Sequence, residues 1–395
     1  MNIKLSSRVQ RVKPSPTLAV TARAASLKAA GQDIIGLGAG EPDFDTPQHI
    51  KQAAIDAIHA GKTKYTAVDG TPSLKKAIIN KFARENGLEY TPGQILVSCG
   101  GKQSFFNLCQ ALLDSGDEVI IPAPYWVSYP DMVLLADGTP VTIFAGHEQG
   151  FKITPEQLEG AITDRTRLVV INSPSNPTGV AYRKAELEAL GEVLRKHPDV
   201  LIATDDMYEH IIWAEEPFSN ILNACPDLYD RTIVLNGVSK AYSMTGWRIG
   251  YAAGPAPLIK AMTKVQSQST SNPTSISQAA AQAALEGDQE CVKVMLKAFQ
   301  ERHEYLYNAL NDIPGIQCIR ADGTFYAFPN VSKAIDKLSG VNDDVELSEY
   351  LLNNGGVAVV PGTAFGAPGY IRLSFATSLE ILHDAVARIR KALEN

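Results

Sequence analysis

QILVSCGGKQSFFNLCQALLDSGDEVIIPAP, residues 94–124, decides the fold. Its ends, QILVSCG and DEVIIPAP, are short runs rich in Val and Ile. Between them, KQSFFNLCQALL carries apolar residues at three- and four-residue spacing, the period of a helix. The unit is strand, helix, strand. It recurs: TPVTIFA (139–145), RLVVINS (167–173), VLIATDD (200–206), TIVLNGV (232–238) and RIGYAAG (248–254) are further apolar runs. TPEQLEGAI (154–162) and RKAELEALGEVLRKH (183–197) have helical spacing between some of them. Such alternation predicts an α/β fold, a mainly parallel seven-stranded sheet with helices on both faces. In sheets of this kind ligands sit beyond the carboxyl ends of the strands, so chemistry is sought in the turns after each run.

Beyond residue 254 the pattern changes. Residues 277–312 read as nearly continuous helix, followed by strand-like IQCIR (316–320), TFYAF (324–328), VAVVPG (357–362) and YIRLSFA (370–376), then a terminal helix. This predicts a smaller α+β domain that the N-terminal arm completes. The expected division is a large domain over 47–299, with the arm (1–46) and residues 300–395 forming the small one.

Composition narrows the function. The 395 residues are 45% hydrophobic, with 36 Lys+Arg against 43 Asp+Glu and a net charge of −7. A nucleic-acid binder needs a clustered basic surface, which this balance argues against. No apolar run approaches the ~18 residues of a membrane span. The five cysteines form no CxxC pair and read as reduced thiols in a cytoplasmic protein. The histidines are scattered, without HExxH, so no metal is expected. Residues 1–32 carry basic residues (Lys4, Arg8, Arg11, Lys13, Arg23, Lys28) and no acidic one. That superficially resembles a transit peptide, but a structured arm with local use for its charges is the preferred reading.

Several motifs fail on inspection. GLGAGE (36–41) lacks the third glycine of a dinucleotide loop, having Glu41 there, and runs into Pro42 rather than a helix. Ser73-Leu74-Lys75-Lys76 matches SxxK without its companion motifs. GVSKA (237–241) nearly matches a nucleophile elbow, but Ala241 replaces the last glycine and only His303 and His383 follow. An α/β-hydrolase-like enzyme therefore stays as the weaker alternative.

What remains suits one cofactor. Gly100, Gly101 and Lys102 end a strand and open a helix, where backbone amides can cradle a phosphate. Asp205 ends the VLIAT strand, with Tyr208 three residues on; Lys240 follows TIVLNGVS, and Arg248 lies eight residues later. An anion site, a carboxylate, a phenol and a lysine at successive strand ends match pyridoxal phosphate (PLP) in its parts. Singly, each has a plainer explanation. Lys240 could be a solvated charge and Asp205 a helix cap. SPSNPTG (173–179) could be a turn cluster, Trp126 a core aromatic, and Arg372 a cross-strand surface charge. Together those explanations require several coincidences in one order.

SPSNPTG, ATDDMYEHI, NGVSKAYSMTGWRIGY and YIRLSFA together resemble the class I aminotransferases of PLP fold type I, most closely the beta subgroup of aspartate aminotransferases. The resemblance runs from KPSPT near the N-terminus to the last helix. It implies that Lys240 bonds the cofactor and serves as the base that moves the α-proton. Asp205 would pair with the ring nitrogen, Tyr208 and Asn176 with the ring oxygen, and Trp126 would stack on the ring. Gly100, Gly101, Lys102 and Arg248 would hold the phosphate. Tyr65 would reach the phosphate of a partner subunit, which implies a homodimer with shared active sites. Arg372 would clamp the substrate α-carboxylate, with Gly40 where the backbone approaches substrate.

Two departures bear on specificity. Gly237 stands where a better-known subgroup has a phosphate-binding serine, with Ser239 as a substitute. No arginine occurs between Arg248 and Arg302, the region that supplies the distal-carboxylate arginine of the alpha subgroup. In the beta subgroup Lys102 and Thr17 do that work, and Lys13 lies near enough to matter for prephenate. The implied reaction moves the amino group of aspartate to 2-oxoglutarate by a ping-pong route, with prephenate as a further acceptor. A non-catalytic, PLP-binding effector domain of a transcription regulator is the other class this fold serves, but those carry a DNA-binding N-terminal extension.

Overall fold

A computed structural model describes residues 3–394. A two-residue strand, β1 (Ile35–Gly36), precedes the main sheet. The seven apolar runs become β2 (Ile95–Ser98), β3 (Glu118–Ala123), β4 (Thr139–Phe144), β5 (Thr166–Asn172), β6 (Leu201–Asp205), β7 (Thr232–Gly237) and β8 (Gly250–Ala253). They lie in the order β2-β8-β7-β6-β5-β3-β4. All neighbours from β7 to β4 are parallel; β8 alone is reversed, antiparallel to both β7 and β2. The α/β expectation holds.

Alternation along each strand explains why both faces are covered. Leu96, Val119, Ile121, Leu168, Val170, Ala203, Ile233, Leu235 and Ala252 pack on one side. There they meet Phe105 and Leu108 of helix Gly101–Leu112, Met132 and Val133 of Ser128–Leu135, and Ile259 and Met262 of Ala256–Ser267. Their neighbours Val97, Ile120, Val169, Ile171, Ile202 and Val234 face the other way, onto Leu74 and Ile78, Leu187 and Leu190, and Ala280 and Ala284 of three more helices. Each fully buried aliphatic side chain contributes about 1.5–3 kcal/mol by leaving water. A sheet buried on both faces must read as continuous apolar runs, which is what made these strands visible.

The C-terminal part departs from expectation in three places. Residues 277–312 form two helices, Ser275–Glu286 and Glu290–Asn311. The chain breaks at Gly287, where a Cβ would stand 2.6 Å from the Ala283 carbonyl, and Asp288 Oδ1 restarts the helix by accepting the Glu290 N–H at 2.9 Å. IQCIR forms no strand; Asn311 takes both backbone groups of Cys318, each at 3.0 Å, in place of a ladder. VAVVPG splits into β10 (Val357–Ala358) and β11 (Val360–Pro361), after β9 (Tyr326–Ala327) and before β12 (Ile371–Ser374). The first pairs in parallel with β1, and the second joins β12 and β9 in a three-stranded sheet. Met295, Phe299, Leu306 and Leu310 pack there with Leu347, Leu351, Leu382 and Ile389 in a separate core.

Candidate active site

The carboxyl ends of β2, β3, β5, β6 and β7 open toward the second core, and a cavity of about 390 Å³ lies between them. Of the residues singled out in the sequence, Thr17, Gly40, Gly101, Lys102, Trp126, Asn176, Asp205, Tyr208, Lys240, Arg248 and Arg372 line it. They come from positions spread over 356 residues of chain, 17 to 372. Gly100 stands immediately behind this wall. Its φ of +89° suits glycine, and a Cβ there would strike the Arg248 guanidinium at 2.3 Å. The Gly100–Gly101 turn thus lets Arg248 lie against the N-terminus of helix Gly101–Leu112, where unpaired amides and a cation make an anion site. Arg248 itself is left-handed (φ +56°), a costly conformation for a side-chain-bearing residue. Its guanidinium donates to the Thr245 carbonyl at 2.9 Å and the Cys99 carbonyl at 3.2 Å.

Lys240 donates Nζ to the Gly40 carbonyl. Burial, then the Arg248 and Arg372 charges, lower its pKa to about 8, outweighing Glu41 and Asp205. A neutral, nucleophilic amine is therefore within reach near physiological pH. The sign is testable. Reductive methylation of Lys240 in the cofactor-free protein, followed by peptide mass spectrometry, is expected to rise with a midpoint near pH 8, well below that of exposed lysines. A midpoint shared with those lysines would refute the shift.

Asp205 is held at the floor by the Tyr129 hydroxyl and, at 3.3 Å, the Met207 N–H. Burial pushes its pKa up, while Tyr129, Met207 and Lys240 oppose that. Arg372 is 2% exposed. One of its amino groups donates to Asn176 Oδ1 at 3.0 Å and the other to the Gly38 carbonyl at 2.7 Å. The guanidinium lies 4.4 Å from the Tyr326 ring centroid and 5.0 Å from that of Phe365. Its Nε is buried with no partner, and so is Thr17 Oγ1. Lys102 lies 5.2 Å from the Trp126 ring centroid, its pKa lowered by burial and by Arg248.

Two sequence candidates lie apart. Lys13 is not on the cavity wall; its backbone N–H and charge meet Asp131, whose carboxyl burial pushes up. Tyr65 is 92% exposed, on a different surface beside Thr270 and Asn272. The histidines a hydrolase would need are elsewhere: His303 accepts the Ala321 N–H, and His383 stacks on Tyr305. Sequence reasoning missed Tyr129, Tyr326, Asn172 and Ser15. Tyr129 was findable as the aromatic three residues after Trp126; its N–H bonds the Trp126 carbonyl at 3.0 Å and the rings meet at 5.2 Å. Tyr326, whose hydroxyl is 2.9 Å from that of Tyr208, gave no signal beyond a strand aromatic.

A family model described as aminotransferase class I and II matches residues 32–389. The chain belongs to that family. Its members are PLP-dependent transaminases acting on amino and 2-oxo acids. Among aminotransferases of known name, the chain is 65% identical to the aspartate/prephenate aminotransferase of Nitrosomonas europaea, over 99% of this chain and 100% of that one. It is 53% identical to the aspartate aminotransferase of Geobacillus stearothermophilus, over 99% of each. The aspartate aminotransferase structure from Rhizobium meliloti superposes with a TM-score of 0.96 at 51% identity, covering 100% and 99% of the two chains. That from Thermus thermophilus with maleate gives 0.93 at 46%, covering 99% and 100%. The PLP fold type I expectation is met. The pocket fits an aminotransferase cofactor on its own chemistry, since a depressed lysine, a buried carboxylate and an anion site share one cavity with two unpartnered donors. Among the described residues no helix is long and apolar enough to cross a membrane.

Proposed function

We propose that this aminotransferase moves the amino group of L-aspartate to 2-oxoglutarate, giving oxaloacetate and L-glutamate, and that prephenate is a further amino acceptor. The observation that carries the reading is a single cavity with Lys240 at its floor and two cationic anchors, Arg372 and Lys102, on its walls. A dicarboxylate needs two anchors; alanine needs one. The names of the 65% and 53% identical relatives support aspartate, and that of the first also prephenate.

Bound PLP supplies an aldehyde that takes the amino group and a conjugated ring that delocalises the electrons released at Cα. Gly100, Gly101, Lys102 and Arg248 would hold its phosphate, Trp126 its ring face, Asn176 and Tyr208 its ring oxygen, and Asp205 its ring nitrogen. A carboxylate fixed there by Tyr129 keeps that nitrogen protonated. Lys240 would hold the aldehyde carbon at rest, and its amine, once free and neutral, would take the proton from the substrate Cα. Arg372 binds the α-carboxylate in the fork geometry that only a guanidinium offers. Gly40 lets the backbone pass close to substrate, since a Cβ there would stand 3.0 Å from the Tyr326 hydroxyl. Lys102 and Thr17 take the distal carboxylate, and Lys13 contributes to the larger prephenate.

With PLP kept saturating so that the phosphate contact of Lys102 does not limit the assay, Lys102→Ala is expected to raise KM for aspartate roughly tenfold or more, the value of one charge-assisted contact, and to leave alanine within about twofold. An aspartate-to-alanine preference equal to wild type, measured by coupled assay of oxaloacetate and pyruvate, would defeat the distal-carboxylate assignment.

The reading extends to assembly and organisation. A homodimer in which Tyr65 serves the partner's phosphate is supported by the exposure of Tyr65 and of Ile3, Leu5, Val9 and Leu18 on the arm. Light scattering at the mass of one chain would refute it. The division at 47 and 299 is supported by helix Glu290–Asn311, in which Val292 packs with the main-sheet core and Met295 with the other. Hydrogen exchange that treats that helix as one unit with the main sheet would count against the division. A cytoplasmic location is supported by five unpaired cysteines and is open to cell fractionation.

A further inference from the structure

Arg302 lies on helix Glu290–Asn311 and neither it nor Asp43 lines the cavity. Its side chain is only 11% exposed, and the guanidinium grips both oxygens of Asp43, at 2.7 and 2.9 Å. It also lies against Phe44 and Phe299, 5.4 and 5.5 Å from their centroids, and those rings meet edge to face. A bidentate pair sealed by aromatic rings is worth more than an open surface pair.

Asp43 belongs to a strap, residues 37–46, that reaches the cavity wall at Gly40 and has almost no regular structure of its own. Its carbonyls do specific work. Leu37 accepts the Ser374 N–H at 2.7 Å, Gly38 accepts Arg372 at 2.7 Å, and Gly40 accepts Lys240 Nζ. The Gly38-Ala39-Gly40 stretch has no side chain long enough to anchor itself, and its glycines make it flexible. Its position must be imposed from its ends. One end is the Leu37 bond to β12. The other comprises Thr245 on Glu41 at 2.9 Å, the Thr46 bonds to Ser243 and Trp247, and the Asp43–Arg302 pair. Among the described residues, that pair is the strap's one polar tie to helix Glu290–Asn311, beside the edge-to-face contact of Phe44 with Phe299.

We infer that Asp43 and Arg302 are positioning residues for substrate binding, holding the strap so that the Gly38 and Gly40 carbonyls keep Arg372 and Lys240 aimed into the cavity. This rests on Arg372 being the carboxylate clamp. Without the pair, the strap keeps only the non-directional Phe44–Phe299 contact to that helix, Arg372 loses a fixed acceptor, and a carboxylate must reorder the guanidinium on binding.

The test uses the PLP-loaded enzyme and maleate, a non-reacting dicarboxylate, with its Kd read by calorimetry. Arg302→Met and Asp43→Asn are each expected to weaken maleate about tenfold, and the double variant no more than either alone, the signature of one shared interaction. With aspartate, KM is expected to rise by about the same factor while kcat changes by less than about threefold. Arg302→Lys, which keeps one point of contact, is expected to recover part of the loss. If Arg302→Met and Asp43→Asn bind maleate within about twofold of wild type while Arg372→Lys does not, the inference is wrong and the clamp assignment stands. If Arg372→Lys also binds normally, the clamp assignment itself has failed. Should Arg302→Met not fold, Asp43→Asn, which keeps the Arg302 side chain and its ring contacts, decides alone.

Discussion

Lys240→Ala is expected to abolish turnover, by at least about 10⁴-fold, because it removes the nucleophile and the base together. The fold is expected to survive. Lys240 Nζ makes one hydrogen bond, to the Gly40 carbonyl, and its burial depresses rather than stabilises its charge. Truncation into an existing cavity creates no new void in the core, so melting is expected to stay within a few degrees of wild type. The measurement is steady-state transamination beside a thermal melt. Wild-type-like turnover in that variant would sink the assignment of Lys240, and with it the account of the whole pocket.

Arg372→Lys is expected to lower kcat/KM for every α-amino acid about 100-fold, mostly through KM. The reason is geometric. Arg372 already spends two nitrogens on Asn176 and Gly38, and its plane is held between Tyr326 and Phe365. A lysine at this nearly inaccessible position cannot satisfy those partners and offer a two-point contact as well. In addition, the burial that already lowers the arginine pKa acts on a group with less to spare. Aspartate and alanine are expected to suffer alike, since both present the same α-carboxylate. A loss confined to aspartate would move Arg372 to the distal end of the substrate.

The opposite behaviour expected of Lys102 and Arg372 toward the two substrates is what would separate the ends of the pocket. Thr17, on helix Pro16–Ala29, brings a buried hydroxyl without a partner to the cavity, and Lys13 lies just outside it against Asp131.

The main sheet was legible because a doubly covered parallel strand has only one way to read, as an unbroken apolar run. The site was legible for the same reason at one remove, because strand ends point to one place, and Asp205, Lys240 and the Gly100–Gly101 turn each sit at such an end. The small sheet was harder. Val357–Ala358 and Val360–Pro361 form a single apolar string, yet pair with β1 and β12 respectively, and nothing local encodes that split. IQCIR is reduced to one antiparallel bridge, Gln317 with Asn330, because the Asn311 side chain takes the next residue's backbone groups. The long helix broke at Gly287, where a Cβ would crowd His49 and the Ala283 carbonyl, a constraint that no periodicity reveals. Tyr326 and Arg302 were invisible as functional groups because what they do lies in partners far along the chain, Tyr208 and Asp43.

The central claim is tested most directly by the visible absorbance of the PLP-loaded enzyme during stepwise addition of L-aspartate and then 2-oxoglutarate. The account predicts that aspartate, at no more than the millimolar levels usual for enzyme substrates, removes the absorbance of the lysine-bound cofactor and that 2-oxoglutarate restores it. A band that ignores aspartate at such concentrations would contradict the assignment of substrate.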